Sequence, residues 1–194
     1  MSVTQHFPAL VVVVPLFFAY LAPVFSRWRK DWVVPATLSA MVFIFIASLY
    51  MVWQVMTTGP FTYEMGNWPP PWGIELSIDY LAAFAAATLS GIGLIILVYG
   101  TKDLLHELKE GVVGWYYTLY LLLMASMLGM VLTNDLFNLF VFVEICAIAS
   151  CGIISIKESR ECIEAAFKCL VLSAVGSGCI WLAIAMIYMV TGHL

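Results

Sequence analysis

The residue most able to do chemistry is Glu144, set within LFNLFVFVEICAIASCGIISI. It lies eight residues from one end of that apolar run and twelve from the other, close to mid-depth in a membrane span at about 1.5 Å per residue. An ionisable group at that depth costs about 2.5–3.5 kcal/mol on insertion scales, and such groups mark proton or ion paths. Desolvation favours its neutral form and a nearby cation its charged form, so a carboxyl held between the two can load and release a proton. The plainer reading is a protonated Glu bonded to a neighbouring backbone carbonyl as interhelical glue. Its helical neighbours are Phe140 and Val141 on the outer side, then Ala147, Ile148 and Cys151 on the inner. The small ones leave room for water or a partner helix.

Lys168 is the second intramembrane charge, about one turn inside the sixth span and able to snorkel to the surface. Glu164 precedes it by four residues in the order that favours an intrahelical ion pair. A structural ion pair and a proton-relay lysine both fit. Asp135, beside Asn134 in the turn before the fifth span, reads first as an N-cap. It lies about 13 Å along the helix from Glu144, a gap that proton exchange would have to cross through water.

These residues need helices to place them, and the composition supplies little else. Of 194 residues 63% are hydrophobic and 10% charged, against roughly 25% charged in soluble domains. A soluble globular protein is excluded. Runs long enough to span occur at about Phe7–Phe25, Trp32–Trp53, Leu76–Tyr99, Val112–Leu132, Leu136–Ile156 and Ile163–Val190, each near the roughly 20 residues a crossing takes. The expected fold is therefore all-α: one polytopic, multi-pass membrane domain over residues 1–194 with six transmembrane helices. The first span has no basic residue before it, and Arg27, Arg29 and Lys30 follow it, so it reads as an anchor and not a cleavable signal.

Seven of the eight basic residues, Arg27, Arg29, Lys30, Lys102, Lys109, Lys157 and Arg160, fall in the first, third and fifth loops. The positive-inside rule makes those loops cytoplasmic and puts both termini outside. Glu64, Glu75, Asp79 and Asp135 lie at the outer surface, the inner loops sum to zero, and Glu144 cancels Lys168, which accounts for the net charge of -4. Nucleic acid is excluded as a partner by this balance.

The outer segment TTGPFTYEMGNWPPPWGIELS, with Pro69–Pro71, predicts an ordered surface loop with an extended turn. The inner TKDLLHELKEG, with Leu104, Leu105 and Leu108 on one face, predicts one or two helical turns on the membrane surface. His6, His106 and His193 read as solvated. Cys146, Cys151, Cys162, Cys169 and Cys179 read as small packing residues, with Cys162 and Cys169 roughly 10 Å apart and too far for a disulfide. Ala83, Ala87 and Gly91 on the third span, and Ala174 with Gly178 on the sixth, predict close helix contacts. No phosphate loop, dinucleotide fingerprint, metal cluster or nucleophile elbow is present. The expectation is a chain without catalytic site, cofactor or metal.

The segments GNWPPPWGIELSIDYLAAF, TNDLFNLFVFVEICAIAS and EAAFKCLVLSAVGSG resemble the N-terminal part of the antiporter-like membrane subunits. These are the D-type component of Mrp cation/proton antiporters and relatives in membrane-bound hydrogenases and complex I. DLFNLFVFVE is the most specific part of the likeness, which covers nearly the whole chain. It implies that Glu144 is the central acid of a proton path and that Lys168 occupies a recurring family position. Asp135 and Glu164 are auxiliary candidates. Family members carry about fourteen helices, including a broken seventh whose lysine partners the glutamate; those later helices are absent here. The sequence stops between helices, which fits a natural short or split subunit.

The leading expectation is a cell-membrane subunit of a multisubunit ion-translocating complex, of Mrp or respiratory/hydrogenase type. Its partners would be other membrane subunits, one supplying the missing helices, the lipid bilayer, and H⁺ with Na⁺ as the other candidate ion. The alternatives are a shortened, non-conducting subunit that docks neighbouring antiporter-like subunits, and a small stand-alone transporter built from two six-helix units.

Overall fold

The computed structural model describes residues 6–28, 32–67 and 73–192. Among these residues six helices are long and apolar enough to cross a membrane: α1 (Phe7–Trp28), α2 (Val33–Thr58), α3 (Tyr80–Glu107), α4 (Glu110–Leu132), α5 (Leu136–Ser155) and α6 (Arg160–Thr191). With all backbone bonds closed within each segment, helices satisfy the hydrocarbon layer's demand for paired N–H and C=O groups. Pro15 and Pro23 inside α1 are exceptions, each lacking the N–H that would bond the carbonyl of Val11 or Ala19. Below, "inner" means the end that carries the basic loops.

Short turns joined to side-chain caps make successive helices run up and down. Asp79 caps α3 by accepting from Ala82 N at 2.6 Å. Ser159 caps α6 by accepting from Cys162 N at 3.2 Å. Gly192 ends α6 at φ 71°, a left-handed conformation that glycine adopts without strain. α4 is the hub, packed on α1, α3 and α5, while α2 closes the other side against α1 and α3. Met41, Ile44, Met51, Tyr117, Leu121 and Leu128 fill this core. α6 packs mainly on α5.

Two elements depart from expectation. Between α2 and α3 lies an antiparallel hairpin, β1 (Phe61–Glu64) with β2 (Glu75–Ile78), in the register Phe61↔Ile78 to Glu64↔Glu75. Leu76 therefore belongs to a strand and not to the third span; it and Ile78 are fully buried, closing the outer end of the core. A short apolar run reads as helix or strand equally well, and only the nonlocal pairing decides. Pro69–Pro71 lie outside the described residues. The second departure is at the inner end, where TKDLLHE prolongs α3 to Glu107 instead of forming a separate surface helix. No Gly or Pro interrupts it, and its residues are mostly helix formers.

Candidate functional site

α5 is 20 residues long, about 30 Å, which matches the hydrocarbon thickness and puts Glu144 near its middle. Asp135 fixes where the helix starts: one carboxylate oxygen accepts from Phe137 N at 2.7 Å and Asn138 N at 3.3 Å. The turn before it is tied to the hairpin by Asn134 N to Glu75 O and Asn134 Nδ2 to Glu75 Oε2, both at 3.1 Å. Asn138 Nδ2 adds a bond to Thr133 Oγ1 at 3.0 Å. The outer end of α5 is thus held by a polar network of Glu75, Thr133, Asn134, Asp135 and Asn138. The sequence signalled only Asp135, because the others meet across separate elements.

The direction of Glu144 follows from helix geometry. Phe142 and Gly152 of α5 meet Gly129 and Leu119 of α4, and at 3.6 residues per turn they lie about 160° and 80° around α5 from Glu144. On its side of the wheel are Ile148, which is 58% exposed, Phe137, which is 47% exposed, and Cys151, whose thiol meets Cys169 of α6. Glu144 is therefore turned aside from the α1–α4 core, onto the flank beside α6. It is half-buried, and among the described residues it makes no hydrogen bond or ion pair.

Lys168 stands eight residues into α6, and Glu144 eleven residues from the inner end of α5. Their depths, about 12 and 16 Å, differ by less than one helical turn. Lys168 is thus about two turns inside its helix rather than one, because α6 begins at Arg160. Its ammonium is bonded to Glu164 Oε1 at 2.6 Å, with the two side chains 69% and 60% exposed. The structure brings Lys168 to Glu164 and not to Glu144. The pair stands on a face of α6 that no described element covers.

At the inner end, among the described residues, two ion pairs cross between the α3–α4 and α5–α6 turns: Lys157 with Glu107 at 2.7 Å and Lys109 with Glu158 at 3.2 Å. The Lys157 ammonium holds the Glu107 carboxyl below the usual value, and Glu107 in turn pushes Lys157 up. At the other end His6 is not simply solvated. Its Nδ1 lies 2.7 Å from the Tyr63 hydroxyl and its ring stands edge-on to Tyr63, joining the start of α1 to the hairpin. The side chain of His106, and His193, lie outside the described residues. All five cysteines are free.

Six apolar helices with an ionisable residue at mid-span define a multi-pass membrane protein. The family described as "NADH:quinone oxidoreductase/Mrp antiporter, TM" matches residues 133–194, the segment that carries Glu144 and Lys168. The chain is 34% identical over 98% of its length to NADH-quinone oxidoreductase subunit N of Desulforudis audaxviator. It is 30% identical over 98% of its length to the D-type component of the Na(+)/H(+) antiporter of Bacillus subtilis. It superposes with a TM-score of 0.87, at 31% identity over 95% of its length, on a chain of the membrane-bound sulfane sulfur reductase, an archaeal respiratory membrane complex. A chain of the Mrp complex from a Dietzia species shares the fold at a TM-score of 0.85 and 24% identity, over 100% of this chain and 36% of that one. Over nearly its whole length the chain is similar to the antiporter-like membrane subunits. It spans 38% of the length of the Desulforudis and Bacillus relatives and 37% of the reductase chain.

Proposed function

We propose that this chain works as a membrane subunit of a multisubunit ion-translocating complex, of Mrp antiporter or respiratory type, in which Glu144 is a protonatable station on a proton path. The supporting observation is Glu144 itself: mid-depth on α5, without a partner among the described residues, and facing the flank that α1–α4 leave open. A carboxyl in that position has a use only if water, a cation or another helix reaches it. Lys168, within a turn in depth, can supply the cation after leaving Glu164; a lysine on a companion chain is the other source. Asp135 and Glu164 would serve as flanking carboxylates at the outer and inner ends. The transported ion would be H⁺, exchanged for Na⁺ if the assembly is an antiporter.

A second reading, a non-conducting subunit that docks neighbouring antiporter-like subunits, draws on α6. Gly176 and Gly178 on that helix have open space where a side chain would stand, so a neighbouring helix could approach closely there. One experiment separates the two. Replace Glu144→Gln, confirm that the assembly still forms, and measure ion flux. Loss of flux with intact assembly supports the relay; unchanged flux rejects it in favour of docking.

A further inference from the structure

A cavity of about 600 Å³ opens between the inner ends of α1 and α4, lined by Pro23, Val24, Ser26, Arg27, Trp28, Gly111, Gly114 and Trp115. Its lining residues carry the Arg27 guanidinium, the indole N–H groups of Trp28 and Trp115, and the Ser26 hydroxyl, which donates or accepts. Among the described residues no acidic side chain lines it, and Arg27 makes no ion pair. Its closed side is set by Gly114, where an added Cβ would stand 2.5 Å from Ser26 Cβ, so the two helices meet there almost backbone to backbone. Leading up to it, Phe17, Tyr20, Val24 and Trp28 form an exposed stripe at helical spacing on α1. A donor-lined, cationic mouth at the level of interfacial tryptophans, continued by an apolar stripe along the span, has the shape and polarity of one phospholipid.

We propose that this cavity is a headgroup site for an anionic phospholipid. Arg27 holds the phosphodiester, Trp28 and Trp115 flank it with their indole N–H groups, and one acyl chain runs along Val24, Tyr20 and Phe17. Arg27 and the tryptophans are placed on the side that the basic loops mark as cytoplasmic, where anionic lipid concentrates and a single basic side chain gains about five-fold in binding. The site lies apart from Glu144 and does not depend on the transport reading.

The test uses the full chain, with whatever subunits accompany it, stripped of lipid in detergent and titrated with phosphatidylglycerol or phosphatidylcholine while bound lipid is counted by native mass spectrometry. The wild type is expected to prefer phosphatidylglycerol about five-fold, R27Q to lose the preference and R27K to keep most of it. Gly111→Glu provides a second variant that the fold accommodates, since open space surrounds an added Cβ there; its carboxylate beside Arg27 should also abolish the preference. Equal retention of the two lipids by the wild type, or an undiminished preference in both R27Q and G111E, overturns the proposal. Displacement of phosphatidylglycerol by millimolar inorganic phosphate overturns it too, marking a free-anion site.

Discussion

Two helices carry the same ridge of small residues and put it to opposite use. On α3, Ala83 is buried and Gly91 meets the ring of Phe45 on α2, which would lie 3.0 Å from a Cβ added there. On α6, Ala174 is exposed and Gly178 has nothing within 4 Å. The α1–α4 part of the molecule is a packed unit; the α5–α6 hairpin has packed one side and left the other bare. The intramembrane charges, Glu144 and Lys168, sit on that second, half-covered part. Spacing alone marks a surface as suitable for close approach, and the presence of a neighbour decides whether it is used.

The widest separation between the halves should come from Glu144→Gln. Ion flux through the assembly is expected to fall about 10²-fold, the range seen when a positioned proton-transfer group is removed, while unfolding of the chain in detergent is unchanged. Next, Gly91→Leu should destabilise by about 1–3 kcal/mol through overpacking against Phe45, read as a lower denaturant midpoint in micelles. Gly178→Leu sharpens the contrast, since on an unoccupied surface it should leave the chain as stable or add up to about 1 kcal/mol of helix propensity. The same change should weaken co-purification with any companion helix that uses the ridge; equal destabilisation by the two substitutions would erase the contrast between α3 and α6. Asp135→Ala, which removes the cap of α5, should cost about 1 kcal/mol, visible as faster hydrogen exchange at the outer end of α5.

The smallest effect belongs to the inner ties. The carboxyl of Glu107 is held below its ordinary value of 4.5, so its contribution is present above that value and is lost as pH falls through the lowered one. Lys157 is raised from 10.5, so its share is present below that value and is lost as pH rises through the raised one. Between those limits the tie should be insensitive to pH and weakened by salt, because both side chains are more than half exposed. Lys157→Met should flatten the acid-side loss in a thermal-shift series from about pH 3 to 7.

Much of the architecture was legible because it rests on local rules. Six apolar runs give six helices since the hydrocarbon layer admits little else, and Asp135 announces the start of α5 through a bond that closes within three residues. The hairpin was not legible. Its strands are ten residues apart in the sequence, with 65 to 74 between them, and the anchors that hold it, His6 to Tyr63 and Glu75 to Asn134, join residues 57 and 59 positions apart. The true lengths of α3 and α6 escaped for a related reason, since hydropathy measures the span and not the helix that projects beyond it.

Residue types and their order alone settled that this is a multi-pass membrane protein of six apolar spans and how far along its helix Glu144 stands, because solvation and helical rise act on each segment independently. The tertiary structure alone decided which way that carboxyl faces, that Lys168 is not brought to it, and that the ridge on α3 is covered while the one on α6 is not. Those outcomes depend on how separate helices meet and how side chains settle among them, and no single segment contains the information to determine its neighbours.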